Sequence, residues 1–211
     1  MSPEDLTAVV RLAAQRGIWV ISDECYVYLK YAGKNFSVGS LREYRDRMVV
    51  VGSLSKTYAM TGWRLGYALA PVQIVAAMQK LQSQSTSNPT SIIQKAAVAA
   101  LNGPQQCVES MRLEYIHLRD HVVKGLRAIA GVKCTRPEGA FYAYPNIRSF
   151  IGRGGIKSAS DLAGRLLREA HVATVPGEGF GTREHIRISY ATSVTELDRG
   201  LERLRKFLAA L

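Results

Sequence analysis

The sequence predicts an α/β protein that ends in a smaller α+β unit. Over the first hundred residues, short continuous apolar runs alternate with amphipathic helical segments, a pattern typical of a parallel sheet covered by helices. Two of the apolar runs, residues 18–22 and 48–52, stop abruptly at polar residues. After a long amphipathic segment, the predicted order becomes strand, strand, helix, strand, strand, helix, which is typical of an α+β arrangement.

The first part of the chain opens on a helix-start signal. Ser2-Pro3-Glu4-Asp5 places a capping residue, a first-turn proline and two acids before an apolar periodicity, and Gly17 ends the helix. We expect strands at 18–22, 48–52 and 66–70, with the first buried on both faces. Helices are expected at 72–83 and 91–101, the second ended by Asn102-Gly103-Pro104.

The later elements follow a long amphipathic helix at about 105–130 that ends at Gly131. Beyond it we expect strands at 132–135, 140–144, 172–175 and 185–189, and helices at 160–170 and 194–210. The segment 176–181 is expected to be a flexible loop. The sequence therefore predicts a first domain at 1–104, a connecting helix at 105–130 and a small domain at 131–211.

Composition narrows the class of protein. The chain has 211 residues, of which 47% are hydrophobic and 21% charged, with a net charge of +11, as in a soluble globular protein. The basic residues are spread over helix faces, so nucleic-acid binding is not expected. No apolar stretch suits a membrane span, and no signal peptide is visible. Cys25, Cys107 and Cys134 fit neither a disulfide framework nor a metal knuckle, which favours the cytoplasm.

The segment from Gly52 to Tyr67 carries the most chemistry. Lys56 follows a buried strand, where an ammonium group is costly unless it has a role, and a desolvated amine is a nucleophile toward aldehydes. Arg64 and the hydroxyl of Ser53 could together bind a phosphate group. Aldehyde capture beside phosphate binding points to pyridoxal phosphate.

The end of the preceding predicted strand supplies a carboxylate and a phenol. Asp23 could pair with the pyridine nitrogen of such a cofactor and keep it protonated, while Tyr26 could direct its hydroxyl to the ring oxygen. Asp and Tyr are also common turn residues, so this spacing alone decides nothing. His117 and His121 are four residues apart, but no third ligand accompanies them and no metal site is expected.

Five segments of the chain, in order, resemble the class I pyridoxal-phosphate aminotransferases of fold type I. They are Ile21-Ser-Asp-Glu-Cys-Tyr26, Gly52-Ser-Leu-Ser-Lys-Thr-Tyr-Ala-Met-Thr-Gly-Trp-Arg-Leu-Gly-Tyr67, Leu81-Gln-Ser-Gln-Ser-Thr-Ser-Asn-Pro89, Arg136-Pro-Glu-Gly-Ala-Phe-Tyr-Ala-Tyr-Pro145 and Ile186-Arg-Ile-Ser-Tyr-Ala-Thr-Ser193. Within this family, the segments most resemble those of bacterial aspartate/prephenate-type aminotransferases. The resemblance implies that residues 1–104 are a partial cofactor-binding large domain built on a mixed, mostly parallel sheet with helices, and that 131–211 are the small C-terminal α+β domain.

The resemblance also implies roles for individual residues. Lys56 would hold pyridoxal 5'-phosphate as a Schiff base and carry the proton during catalysis. The other implied cofactor-binding residues are Asp23, Tyr26, Ser53 and Arg64, and Arg187 would bind the substrate carboxylate. The implied reaction transfers an amino group from an amino acid, aspartate or similar, to a 2-oxo acid, in a family that is typically homodimeric.

The same resemblance leaves alternatives open. The sequence starts shortly after the point where the family carries an Asn-Pro-Thr-Gly-like motif, so we expect it to be the carboxyl-terminal half with little activity alone. A different pyridoxal-phosphate enzyme, a lyase or decarboxylase, would use the same Lys56 and Asp23 on another bond. A noncatalytic module, either truncated or regulatory, is the third reading.

Overall fold

Seven α-helices and six strands follow one another in a computed structural model that describes residues 1–211. The helices are α1 (Pro3–Gln15), α2 (Leu54–Thr57), α3 (Val72–Ser85), α4 (Ser91–Asn102), α5 (Gln106–Arg127), α6 (Ala159–Arg165) and α7 (Val194–Ala209). The strands are β1 (Val20–Asp23), β2 (Met48–Ser53), β3 (Gly66–Leu69), β4 (Tyr142–Ala143), β5 (Val175–Pro176) and β6 (Ile186–Ser189). They form two units, Met1–Ser110 and Met111–Leu211.

The first unit contains a three-stranded mixed sheet in the order β1-β2-β3. β1 and β2 run parallel, with Asp23 opposite Val51, whereas β3 runs antiparallel to β2, with Gly66 opposite Ser53. The sheet is therefore half parallel and half antiparallel, rather than mostly parallel as expected. β3 is antiparallel because the chain turns back at once after α2, and a parallel pairing would need a long crossover.

One face of this sheet is covered by α1. A capping box at Ser2 and Asp5 starts the helix, as the sequence predicts. Val10 of α1 joins Val38, Met48 and Val50 in an apolar cluster, each at most 5% exposed. The loop between β1 and β2 contributes Val38 through 3-10 helices at Val38–Ser40 and Arg42–Arg47, which the sequence reading missed.

The opposite face of β1 is exposed, contrary to expectation. A strand buried on both faces was predicted at 18–22, but the side chain of Ile21 is 73% exposed and burial alternates along the strand. An apolar run shows only that its residues favour burial, and it does not show whether another element covers the strand.

No helix in the chain is both long and apolar enough to cross a membrane.

The second unit packs helices on an antiparallel sheet in the order β4-β6-β5. Leu126, Leu166, Ile186 and Tyr190 are fully buried in its core. Only a single bridge, between Lys133 and Asn146, stands where a strand was predicted at 132–135. The helix expected at 160–170 is α6 followed by a π-helical turn at Leu166–Ala170, and the strand at 172–175 is reduced to β5.

Candidate active site

The carboxyl ends of β1 and β2 meet at one edge of the first sheet. Because these strands are parallel and in register, Asp23 at the end of β1 lies beside the last residues of β2, which ends at Ser53. β3 begins at the same edge, since Gly66 pairs with Ser53. The ends of parallel strands are where ligands bind in open α/β sheets. The topology thus brings Asp23, Ser53 and the segment before Gly66 together.

Lys56 lies on α2, the short helix that leaves this edge. The Ser53 hydroxyl caps the helix by accepting the Ser55 amide at 3.1 Å, and the Leu54 amide donates to the Leu65 carbonyl at 3.3 Å. Leu54 and Thr57 are buried, so they anchor the turn on both sides of a half-buried Lys56. The helix therefore fixes the position of the Lys56 backbone close to the end of β2.

Arg64 follows α2 in a strained stretch of backbone. Its φ is +57° and that of Ala59 is +54°, the left-handed region that non-glycine residues adopt rarely. Its guanidinium donates to the Thr61 carbonyl at 2.9 Å and is otherwise exposed, just before β3. Such strain persists only where the surroundings impose it, and it concentrates at ligand sites. The backbone here returns Arg64 to the edge that carries Ser53.

Two glycines allow β2 and β3 to approach closely beside Lys56. A methyl group on Gly52 would collide with the ring of Tyr67, and one on Gly66 would lie 2.9 Å from the Gly52 carbonyl oxygen. Tyr67 is half-exposed over this position, and burial, followed by the neighbouring Tyr28 and Glu24, raises the pKa of its hydroxyl. Both glycines are thus required by packing.

The pKa of the Cys25 thiol depends on the charged side chains around it. Burial, followed by the charge of Asp23, raises the pKa of the thiol to about 11, while Lys56 acts in the opposite direction. Asp23 also accepts the Cys25 amide at 3.1 Å. The Asp23 and Lys56 side chains are therefore both within electrostatic range of this thiol, which stays protonated.

Tyr26, in the turn after β1, is half-buried, and its carbonyl accepts the Leu29 amide at 2.9 Å.

Arg187 belongs to the second unit, on β6. Its guanidinium carbon lies 4.4 Å from the centre of the Tyr142 ring and 4.7 Å from that of Phe180, and no carboxylate forms an ion pair with it. The sequence reading missed both rings. The alternation along β4 could have indicated Tyr142. Phe180 lies in the segment that the sequence predicts to be a flexible loop, whereas the structure has a 3-10 helix at Gly177–Phe180.

Comparison with known protein families shows which family this sequence matches. The family model described as "Aminotransferase class I and II" matches residues 1–204. An aspartate aminotransferase of Geobacillus stearothermophilus is 42% identical over 209 residues, which cover 98% of this chain and 53% of that protein. The chain thus spans about half the length of the curated relatives it matches.

Solved structures give the same result at the level of the fold. The crystal structure of an aspartate aminotransferase from Rhizobium meliloti is similar with a TM-score of 0.92 and 40% identity, covering 99% of this chain and 54% of that one. An aromatic aminotransferase from Pyrococcus horikoshii is similar with a TM-score of 0.91 and 36% identity, covering 100% of this chain and 56% of that one.

Proposed function

This chain belongs to the class I and II aminotransferase family, and we propose that it supports the transfer of an amino group between an amino acid, such as aspartate, and a 2-oxo acid. The family depends on pyridoxal 5'-phosphate. The observation that carries the proposal is the convergence of Asp23, Ser53, Lys56 and the Arg64 segment at one edge of the first sheet.

The side chains at this edge fit the cofactor by their chemistry. It has an aldehyde, a phosphate, a basic ring nitrogen and a phenolic oxygen. The edge offers one primary amine in Lys56, a hydroxyl and a guanidinium in Ser53 and Arg64, and one carboxylate in Asp23. The glycines at 52 and 66 let β2 and β3 pack closely beside them. When bound, pyridoxal phosphate supplies an electron sink for negative charge at the substrate α-carbon.

Lys56 and Asp23 do the chemical work in this proposal. The Lys56 amine would hold the cofactor through its aldehyde, and once the substrate amine has displaced it, the free Nζ would carry a proton from the substrate α-carbon to the cofactor. The Asp23 carboxylate, at the end of β1, keeps a proton on the ring nitrogen. Asp23 ends β1 and Lys56 lies on α2, directly after the parallel strand β2, so the β1–β2 pairing brings both residues to the same edge.

Ser53, Arg64 and Tyr26 hold the cofactor in place. Ser53 and Arg64 bind the phosphate through a hydroxyl and a charge-assisted hydrogen bond. Tyr26 donates its hydroxyl to the phenolic oxygen. Arg187, in the second unit, binds the substrate α-carboxylate through its fork of N–H donors. The homodimer that is typical of the family is part of the same proposal.

A single-turnover experiment tests the reaction. The chain is loaded with pyridoxal phosphate at saturating concentration and mixed with aspartate, and the cofactor product is identified by chromatography. We expect the pyridoxamine form, produced faster than by free cofactor or by the Lys56→Ala variant. Lys80→Ala, a change at a lysine on α3, is the matched control. Conversion that survives Lys56→Ala would refute the assignment.

The product also separates amino transfer from the alternative reactions. A lyase or decarboxylase returns the cofactor as the aldehyde. Recovery of the aldehyde together with a cleaved amino acid would therefore assign the chain to that class instead.

Sustained turnover by the chain alone is expected to be low. Because Asp23 and Arg64 are exposed, each charged contact with the cofactor is worth less than the ~1.5–3 kcal/mol of a hydrogen bond to a charged group.

A further inference from the structure

Arg187 is held in a different way from three other arginines of its unit. Arg165 pairs with Glu169, Arg205 with Glu202, and Arg119 with Asp120, each at 2.9 Å or less. The half-buried Arg187 has no such carboxylate, and its guanidinium carbon lies over two aromatic rings instead. A ring face attracts a cation without accepting its N–H bonds. The N–H donors of the Arg187 guanidinium therefore remain available to a different acceptor.

The register of the second sheet places Tyr142 beside Arg187. Tyr142 pairs with Ser189 across β4 and β6, and Arg187 is two residues before Ser189 on the same face of β6. Such diagonal neighbours are about 7–8 Å apart at their backbones, within reach of an aromatic ring and a long side chain. The contact therefore follows from strand pairing and does not depend on a loop.

Phe180 reaches Arg187 from the 3-10 helix that follows β5. β5 pairs with β6 so that Val175 is opposite Arg187, and the chain then turns back over the sheet. The Tyr144 ring packs edge-on against Phe180 with the ring centres 6.1 Å apart, and the Tyr144 hydroxyl bonds that of Thr182 at 2.6 Å. These contacts fix the ring of Phe180, although its side chain is 48% exposed.

We propose that Tyr142 and Phe180 are positioning residues for substrate recognition. They hold the Arg187 guanidinium by its π contacts, so that its N–H edge is ordered and unpaired before a carboxylate arrives. Pre-ordering of this kind raises affinity because the cost of immobilising a long side chain is met before binding. The inference rests on the proposed role of Arg187 in binding the substrate carboxylate.

Arginine side-chain NMR on the ¹⁵N-labelled chain tests the positioning directly. We expect the Nε–Hε group of Arg187 to be ordered in the wild type and mobile in Phe180→Leu and Tyr142→Leu, which keep apolar bulk but lose the ring. Phe180→Tyr should restore the order. Phe207→Leu is the control, because it removes the ring under Arg165, whose guanidinium carbon lies 5.3 Å from it.

A titration with succinate, a plain dicarboxylate, tests the consequence in the same spectra. We expect it to shift the Arg187 signal, with affinity about fivefold lower in Phe180→Leu and unchanged in Phe207→Leu. Unchanged order or unchanged affinity in both leucine variants would overturn the inference. Ring-dependent order without any succinate shift would support the positioning but refute the proposed carboxylate role of Arg187.

Discussion

Replacing Asp120 by asparagine removes a carboxylate that two arginines share. Its two oxygens accept hydrogen bonds from Arg119 at 2.9 and 3.2 Å and from Arg136 at 2.9 Å each. The Arg119 side chain is only 6% exposed, whereas those of Asp120 and Arg136 are 46% and 57% exposed. Asparagine would remove the negative charge that pairs with the buried guanidinium of Arg119, and removing one partner of such a pair is costly.

The magnitude follows from the pKa of the Asp120 carboxyl. Hydrogen bonds from Arg136, and then from Arg119, lower this pKa from 3.8 to about 2. That fall corresponds to a ceiling of about 2.5 kcal/mol. Because nearly half of the carboxylate is exposed, solvent screens the pairs and we expect about 1.5 kcal/mol. The stabilisation is complete above about pH 4, the ordinary pKa, and is lost as the pH falls to about 2.

Urea unfolding, followed by circular dichroism, measures this difference. At pH 7, Asp120→Asn should lower the free energy of unfolding by about 1.5 kcal/mol, and the difference should shrink toward zero near pH 2. Glu202→Gln is the control: the pKa of Glu202 is also lowered to about 2, but its partners Arg205 and Lys206 are exposed. An equal loss in both variants, or none in Asp120→Asn, would refute the argument.

Two further predictions concern a turn and a thiol. Gly177→Ala should destabilise the second unit by about 1–3 kcal/mol, because its new methyl group would lie 2.6 Å from the His185 carbonyl oxygen and the backbone would have to shift. Urea unfolding beside Gly179→Ala, where the space is open, checks this, and equal losses would contradict it. Cys25, whose pKa is about 11, should react with iodoacetamide at pH 8 far more slowly than the exposed Cys107, as peptide mass mapping would show; equal rates would contradict this.

Every helix except α2, and each of the first three strands, carries a local signal that predicts it. α1 carries a capping box, and β2 carries a run of apolar residues closed by polar ones, so both lie within three residues of their expected positions. The same local signals place Asp23 and Lys56 at strand ends. Their convergence at one edge was inferred from the parallel pairing, which the structure has.

The remaining features depend on contacts that are distant in sequence. The exposure of Ile21 depends on what covers the sheet, and the shortening of the strand predicted at 132–135 depends on Asn146, its only bridging partner there. The rings of Tyr142 and Phe180 meet Arg187 only through the pairing of β4, β5 and β6. Periodicity within a short window contains none of this information.

The central claim is that Lys56 is the amine that holds the cofactor at the edge formed by β1, β2 and β3. Borohydride reduction of the chain with added pyridoxal phosphate, followed by peptide mass mapping, tests it most directly. We expect a label at Lys56 that exceeds the label at Lys80 or Lys95 and that falls in Asp23→Ala. Label spread evenly over the lysines, or absent from Lys56, would contradict the account.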